Sequence, residues 1–212
     1  MTEALIYLVR HGKPEMPDNR TYCIGKDSDP CLSAEGRRQA KALSRCFNEK
    51  DFNRIYCSSL KRSRETAELL ADGRWPIFEY AGIGEISVGL WEGMNFDDIR
   101  ENYPTIYDER RDDWSISPPR GESLEEAADR MEKAIKEIVE NEDRDLLLVT
   151  HDGSIRALLW RIMALDAKRD PMIHQPYGSI TVLKYADGQL SVTLVGILPE
   201  DHLKIESEKQ HR

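Results

Sequence analysis

Three short apolar runs in the chain each end in a polar segment. Residues Ala4–Val9 (ALIYLV) stop at Arg10-His11-Gly12, and residues Leu146–Thr150 (LLLVT) continue into His151-Asp152-Gly153. A third and shorter run is Ile55–Cys57. Continuous apolar runs of this length are typical of strands that are buried on both faces of a sheet. We therefore predict three buried strands, each ending in a polar loop.

Helical patterns follow all three runs. Ser33 is placed to cap a helix over Ala34–Asn48, in which apolar residues fall on one face. Ser123 and Glu126 have the spacing of a capping box, and the apolar residues after them also recur with a helical period. Strands that alternate with helices predict an α/β fold, a three-layer α/β/α sandwich with a mainly parallel central sheet.

The remaining segments predict an insertion, a hairpin and a tail. Residues 101–121 combine prolines, aromatics and alternating charges without a sustained period, and we expect an insertion over one edge of the sheet. Ser179–Tyr185 and Leu190–Ile197 flank an Asp-Gly pair, which predicts an antiparallel hairpin. Residues 199–212 are charged, and we expect a frayed C-terminal tail. Residues 1–198 are therefore predicted to form a single domain.

Composition and charge narrow the class of protein. A chain of 212 residues is long enough to bury one sizeable core, and 33% charged with 40% hydrophobic residues is the balance of an ordinary globular protein. The formal net charge of -9 repels polyanions, which argues against a nucleic-acid partner. A small phosphorylated molecule can still bind through local arginines.

Cysteine spacing and hydropathy predict where the protein is located and whether it binds a metal or a membrane. The four cysteines form no CxxC pair and show no metal-ligand spacing with a histidine, so we expect reduced thiols, no bound metal and a cytoplasmic location. No apolar run approaches the roughly 20 residues that cross a bilayer, and no secretory signal is visible, so we expect no membrane partner. The sequence leaves the oligomeric state open, and a dimer is one option.

Two of the five histidines follow predicted strands. In an open parallel sheet, ligands bind beyond the carboxyl ends of the strands, where His11 and His151 both lie. Arg10 adds a cation beside His11, and a guanidinium group holds phosphate oxygens through paired hydrogen bonds. A neutral imidazole is a competent nucleophile without a metal, and Gly12 would allow the backbone to approach a ligand closely. These residues predict a phosphate site with a histidine nucleophile.

Arg-His-Gly after the first strand is one of six motifs along the chain. The other five are Gly25–Ala40, Ser58–Leu69, Gly84–Ile99, Pro118–Arg130 and Val149–Leu159. Together, from Leu5 to about Tyr185, they resemble the histidine phosphatase superfamily, in particular its phosphoglycerate-mutase-like branch. The resemblance implies a phosphoglycerate-mutase-like fold and a reaction through a phosphohistidine that needs no cofactor.

The resemblance also assigns roles to individual residues. His11 matches the histidine that the family phosphorylates, and Arg10 and Arg62 match the arginines of its phosphate pocket. His151 matches the second histidine of that pocket. Glu85 lines up with the general acid, a role that nothing else in the sequence gives to one of its 39 acidic residues. The implied activity is metal-independent hydrolysis of a small phosphate ester, which would be the partner of this protein.

Three other functions stay open at this point. A phosphomutase would return the phosphoryl group from His11 to a second hydroxyl. A metallohydrolase would use His11, His151, Glu85 and Asp152 as ligands, although their spacing matches no known metal motif. A phosphate-binding module without catalysis is the third function.

Two local features concern the segment Gly25–Gly36 and Asp152. The segment Gly25–Gly36 also resembles that of the alpha-ribazole phosphatases, which adds one candidate substrate. Asp152 occupies a position where the family commonly has glycine. Because an aspartate suits a helix N-terminus, we expect Asp152 to cap the helix that follows His151.

Overall fold

The computed structural model describes residues 3–168 and 173–210, and the strands within them form one six-stranded sheet. The strands are β1 (Ala4–Arg10), β2 (Ile55–Cys57), β3 (Ile77–Glu79), β4 (Leu146–Thr150), β5 (Ile180–Ala186) and β6 (Gln189–Ile197). Their order across the sheet is β3-β2-β4-β1-β5-β6. Strands β1 and β4 are therefore neighbours, and their carboxyl ends bring His11 close to His151.

Most of the sheet is parallel, as predicted. Strand β1 pairs with β4, and β2 pairs with both β3 and β4, in parallel register. Strand β5 is antiparallel to β1 and to β6. The predicted hairpin is confirmed, and its turn at Asp187 and Gly188 has φ angles of 52° and 80°. An Asp-Gly pair adopts two such positive angles readily, which explains why the turn falls there.

Seven helices accompany the sheet in the described residues. They are α1 (Ala34–Ser44), α2 (Lys61–Ala71), α3 (Phe96–Asn102), α4 (Pro104–Asp112), α5 (Leu124–Glu140), α6 (Asp152–Ile162) and α7 (Pro199–Gln210). Both predicted caps are confirmed. Ser33 Oγ accepts the Gly36 N–H, and Ser123 and Glu126 form the complete capping box of α5. Each such cap contributes about 1 kcal/mol to stability.

Each face of the sheet has its own hydrophobic core. Alternate residues of β1 point to opposite faces, so Ile6 and Leu8 pack with α5 and α6, while Tyr7 and Val9 pack with α1 and α2. All four side chains are almost completely buried, and each contributes roughly 1.5–3 kcal/mol by leaving water. The predicted three-layer α/β/α sandwich is confirmed.

The C-terminal segment differs from the prediction. Residues that we expected to fray form α7 over Pro199–Gln210. Proline suits the first turn of a helix, and Glu200 and Asp201 interact favourably with the positive end of the helix dipole. His202 is buried and packs edge-on against the ring of Tyr7. The prediction of a frayed tail was wrong for Pro199–Gln210, because hydropathy does not reveal tertiary contacts such as that of the buried His202 ring. Residues 211 and 212 of the predicted tail lie outside the described part of the chain.

Residues 101–121 contain more regular structure than predicted. Helix α4 occupies Pro104–Asp112, and none of its residues is buried. Its apolar residues Ile106 and Tyr107 are only partly buried, against a small cluster that includes Trp91, so the helical period is short and weak. A smaller difference concerns α1, which ends at Ser44 and passes into a 3₁₀ turn before the predicted Asn48.

Two glycines fix the loop that follows β1. A Cβ on Gly12 would lie 2.4 Å from the Gly36 carbonyl oxygen, and a Cβ on Gly36 would lie 2.1 Å from the Lys13 carbonyl oxygen. The loop that carries His11 therefore packs backbone to backbone against the first turn of α1. One close approach that Gly12 permits is therefore to this helix.

We expect Gly36→Ala to destabilise the protein by about 1–3 kcal/mol, because the added methyl group overlaps the Lys13 backbone. In an ordinary helix the same change is stabilising by up to about 1 kcal/mol, so the sign of the effect is diagnostic. Thermal unfolding followed by circular dichroism measures it. Arg38→Ala, at an exposed position of the same helix, is the control. An unchanged or raised Tm for Gly36→Ala would contradict this packing.

Candidate active site

The carboxyl ends of β1 and β4 border one cavity of about 540 Å³, a volume in the usual range of small-molecule pockets. Four of the five predicted site residues line this cavity, namely Arg10, His11, Arg62 and Glu85. His151 lies behind the lining, and its ring centroid is 5.0 Å from that of His11. The fold thus brings together all five residues from separate segments of the chain.

The ring of His11 has a defined proton position. Its Nδ1 lies 2.7 Å from the Gly12 carbonyl oxygen, and since a carbonyl oxygen only accepts hydrogen bonds, Nδ1 carries the proton. The Nε2 atom of the neutral ring then carries no proton, and its lone pair accepts a hydrogen bond from the Nε–H of Arg62 at 3.2 Å. Nε2 is therefore the unprotonated nitrogen of the neutral ring.

The surroundings of His11 favour its neutral form. Burial lowers the pKa of His11 well below its ordinary value of 6.5, and the positive charges of Arg62 and Arg10 lower that pKa further. A neutral imidazole can attack an electrophile, whereas the protonated ring cannot. The site therefore holds His11 in its reactive form at neutral pH.

Arg62 is a fully buried cation in the first turn of α2. While its Nε–H points at His11, Nη1 and Nη2 donate to the carbonyl oxygens of Ser28 and Gly25 at 2.8 and 2.9 Å. A buried charge is costly unless it is hydrogen-bonded, and these contacts compensate part of that cost. They also fix the plane of the guanidinium group relative to the His11 ring.

Arg10 contacts three other groups around the cavity. Its Nη1 donates to the carbonyl oxygen of Gln175, and its guanidinium carbon lies 3.8 Å from the centroid of the Tyr177 ring. Its Nη1 is also 3.9 Å from a carboxylate oxygen of Asp152. Arg10 Nε is buried and has no hydrogen-bond partner in the part of the chain that the structure describes. This N–H is available to an oxygen of a bound phosphoryl group.

His151 is completely buried beside His11. Its Nε2 lies 2.6 Å from Ser58 Oγ, and its Nδ1 has no hydrogen-bond partner among residues 3–168 and 173–210. Burial lowers the pKa of His151 well below the ordinary value, and the charge of Arg62 adds to this effect. Ser58 follows strand β2 and begins the motif Ser58–Leu69, but the sequence assigned it no role of its own.

Glu85 is buried, with 8% of its surface exposed, although a carboxylate is ordinarily exposed. Its Oε1 accepts the N–H groups of Ile86 at 2.9 Å and Ser154 at 3.1 Å, and Oε2 accepts that of Gly153 at 3.4 Å. Burial raises the pKa of Glu85 above its ordinary value, against the opposing effects of the Ile86 N–H and of Arg62. A carboxyl group with a raised pKa suits a general acid.

The structure does not place Asp152 as a helix cap. His151 is the N-cap of α6, and Asp152 is the first residue within that helix and makes no capping hydrogen bond. Its carboxylate lies 3.9 Å from Arg10 Nη1 and 3.7 Å from Arg156 Nη1. The predicted cap was wrong because Glu85 already accepts the free N–H groups at the start of α6. Asp152 instead lies between two cations of the cavity.

Arg156, Arg110 and Tyr177 are three of the cavity-lining residues that the sequence did not identify. Arg156 lies one turn after Asp152 on α6, with its guanidinium carbon 3.8 Å from the centroid of the Trp114 ring. Arg110 stacks on the same ring at 5.1 Å, and Tyr177 is the third residue. The four-residue spacing of Asp152 and Arg156 is a sequence signal for a pair on one helix face. Arg110 and Tyr177 reach the cavity only through the tertiary fold.

The described residues offer neither a metal site nor a membrane span. Among residues 3–168 and 173–210, no group of three or more His, Cys, Asp or Glu side chains is placed to hold a metal ion. Cys23 contributes to the cavity wall as a free thiol, and burial raises the pKa of Cys23 to about 12. No helix in the described part of the chain is long and apolar enough to cross a membrane.

Residues 6–197 match the histidine phosphatase superfamily, branch 1. The chain belongs to this superfamily, which confirms the family resemblance. The matched region extends from β1 to the end of β6, so it contains all five predicted site residues.

Several known proteins resemble this chain over most of its length. Rat 6-phosphofructo-2-kinase/fructose-2,6-bisphosphatase 3 is 32% identical over 210 residues, which are 98% of this chain and 35% of that protein. The chain therefore spans about a third of the length of this relative. The structure of Bacillus stearothermophilus YhfR has a TM-score of 0.84 at 28% identity and covers 92% of this chain and 98% of that one. A putative alpha-ribazole-5'-P phosphatase from Escherichia coli shares the fold, with a TM-score of 0.78 at 22% identity over 92% and 96% of the two chains.

We expect Asp152→Asn to tighten the binding of inorganic phosphate roughly threefold, because the carboxylate repels an anion and competes for Arg10. Isothermal titration calorimetry with phosphate measures the change. The gain should shrink as salt is added, since the Asp152 side chain is partly exposed and its charge is screened.

A matched control for this substitution is Asp187→Asn in the exposed hairpin turn. Asparagine tolerates the positive φ of 52° at that position, so the control removes one negative charge without straining the backbone. Equal phosphate affinities for Asp152→Asn, Asp187→Asn and the wild type would show that Asp152 does not influence the anion site.

Proposed function

We propose that this protein is a metal-independent phosphomonoesterase that acts on a small phosphorylated metabolite and passes the phosphoryl group through His11. The observation that carries this proposal is the His11 ring itself. It is buried and neutral, its Nδ1 proton is held by the Gly12 carbonyl oxygen, and its Nε2 faces Arg62 beside the cavity. A neutral ring held in this way can attack phosphorus without help from a metal.

The first step transfers the phosphoryl group to the enzyme. His11 Nε2 attacks phosphorus in line with the ester oxygen, so an N–P bond forms as the P–O bond to the leaving group breaks. Glu85 gives its proton to the departing oxygen. Arg10, Arg62 and His151 surround the position of the equatorial oxygens, and preorganised donors of this kind stabilise the charge of the transition state.

The second step returns the enzyme to its starting state. Water attacks the phosphohistidine, and the carboxylate of Glu85 takes a proton from that water. The N–P bond breaks, inorganic phosphate is released, and His11 is again a neutral imidazole. One carboxyl group thus acts first as general acid and then as general base, which requires a pKa near the working pH.

The cavity supports a substrate larger than a phosphate group. Its wall contains the aromatic residues Trp91, Tyr107 and Trp114, together with the cations Arg110 and Arg156. The names of the relatives suggest fructose 2,6-bisphosphate and alpha-ribazole 5'-phosphate as compounds to test. Phosphoglycerates belong in the same panel, because isomer exchange without phosphate release would indicate a mutase. The free cysteines support the cytoplasmic location that we also propose.

We expect the wild type to release phosphate from at least one phosphomonoester in the presence of excess chelator, and His11→Ala to lose this activity by a factor of about 10⁴ or more. The alanine variant has no atom that can receive the phosphoryl group. Rapid quenching of the wild type with a radiolabelled substrate should trap label on the protein, and His11→Ala should trap none.

The matched control for this experiment is His174→Ala, at an exposed position outside the cavity lining. It should retain the activity of the wild type. Near-normal turnover by His11→Ala would rule out the proposed nucleophile, and loss of wild-type activity with the chelator would indicate a metal-dependent reaction.

We expect Glu85→Gln to reduce kcat/KM, which reports the first transfer step, by about 10²–10⁴-fold for alkyl phosphates, which need a proton on the leaving oxygen. It should affect kcat/KM for p-nitrophenyl phosphate much less, because the nitrophenolate leaves without protonation. In the wild type, kcat/KM for alkyl phosphates should fall as pH rises through the raised pKa of Glu85, since only the protonated form is an acid. This alkaline limb should be absent in Glu85→Gln.

The Glu85→Gln variant is the reference for the pH profile of the wild type. The second ionisation of a phosphomonoester, near pH 6, affects the wild type and the variant equally, so the difference between their profiles reports the enzyme. Glu101→Gln, at an exposed position, is the matched control. Equal losses for alkyl and nitrophenyl esters would contradict the assignment of Glu85 as the acid.

A further inference from the structure

The loop of residues 25–28 lies between Arg62 and Glu92 and is bound by both. Arg62 donates to two of its carbonyl oxygens. Glu92 accepts three of its backbone N–H groups, at 2.8, 3.2 and 3.3 Å. The loop has no helical or strand hydrogen bonds of its own, so these side chains determine where its backbone lies.

The loop packs against Glu92 without free space. A Cβ on Gly25 would lie 2.6 Å from a carboxylate oxygen of Glu92 and 2.8 Å from both the Ile86 carbonyl oxygen and a Val88 methyl carbon. Hydrogen bonds to an ionised acceptor are about twice as strong as those between neutral groups. Three of them on one carboxylate, together with this close packing, fix the loop in one position.

We propose that Glu92 is a positioning residue that sets the Arg62 guanidinium group against His11 by fixing this loop. If the loop moved, Arg62 would either lose two hydrogen bonds in a buried environment or move with the loop. Either change would turn its Nε–H away from the reacting centre. Glu92 does not belong to the cavity lining, so it acts through Arg62 rather than on the substrate. This inference rests on the proposed phosphatase function.

The experiment compares Glu92→Ala and Glu92→Gln with the wild type. Removing the carboxylate should lower kcat/KM by about tenfold to 100-fold. The upper end of this range is close to the loss caused by removing one catalytic hydrogen-bond donor. Glutamine keeps one oxygen acceptor, so Glu92→Gln should have an intermediate activity. Orthovanadate, which imitates the five-coordinate phosphorus of the transition state, should bind more weakly in the same order. Glu101→Ala is the control at an exposed position.

A double-mutant cycle separates positioning of Arg62 from a general structural role. If Glu92 acts through Arg62, then Glu92→Ala should change kcat/KM and vanadate affinity less than about twofold in an Arg62→Ala background. Losses that multiply in the double variant would overturn the proposal. Arg62→Lys replaces Arg62→Ala if the alanine variant does not fold, and Tm is measured for every protein.

The outcome for Glu92 can be distinguished from the outcome for the proposed function. If the wild type hydrolyses no compound of the panel, the proposed function fails, and vanadate binding by calorimetry still tests Glu92. Weaker vanadate binding in Glu92→Ala that disappears in the Arg62→Ala background would support the positioning role. Unchanged vanadate binding and kcat/KM in a folded Glu92→Ala variant would overturn it.

Discussion

The site depends on a buried guanidinium group placed against a neutral imidazole. Arg62 has no exposed surface, and its Nε–H points at the lone pair of His11 Nε2. The same positive charge helps to lower the pKa of His11, so the cation that would bind a phosphoryl oxygen also keeps the nucleophile unprotonated. Because a charge in a low-dielectric environment is costly, the protein must surround Arg62 with acceptors, and two backbone carbonyl groups serve this purpose.

Carboxylates balance the cations of the cavity without occupying the position of the phosphoryl group. Glu85 accepts N–H groups at the start of α6, where the helix dipole favours a negative charge, yet its burial still raises its pKa. Asp152 lies between Arg10 and Arg156. The arginines therefore give the cavity a local excess of positive charge in a protein whose formal net charge is -9. Net charge alone does not describe the charge of a pocket.

The sequence predicts those strands and helix caps that are determined by residues close together in the chain. The buried strands, the Ser33 cap and the capping box of Ser123 are determined by neighbouring residues, and His11 follows a strand that hydropathy alone identifies. Glu85 could be assigned only through the family resemblance, since its burial is created by the tertiary fold. Neither Arg110 nor the docking of α7 has a local signal, because each depends on contacts with residues distant in sequence.

Glu85 and Glu92 show how tertiary contacts give different chemistry to two like residues in one short segment. Both carboxylates accept backbone N–H groups, but those of Glu92 come from the 25–28 loop, whereas Glu85 borders the cavity. A carboxyl group at the cavity can exchange a proton with a substrate, and one that is turned away can only hold the backbone. Since both belong to the segment from Gly84 to Gly93, a shift of this segment would displace Glu85 together with the carboxylate that binds the 25–28 loop. The position of Glu85 and the position of the loop that accepts hydrogen bonds from Arg62 therefore depend on the same segment.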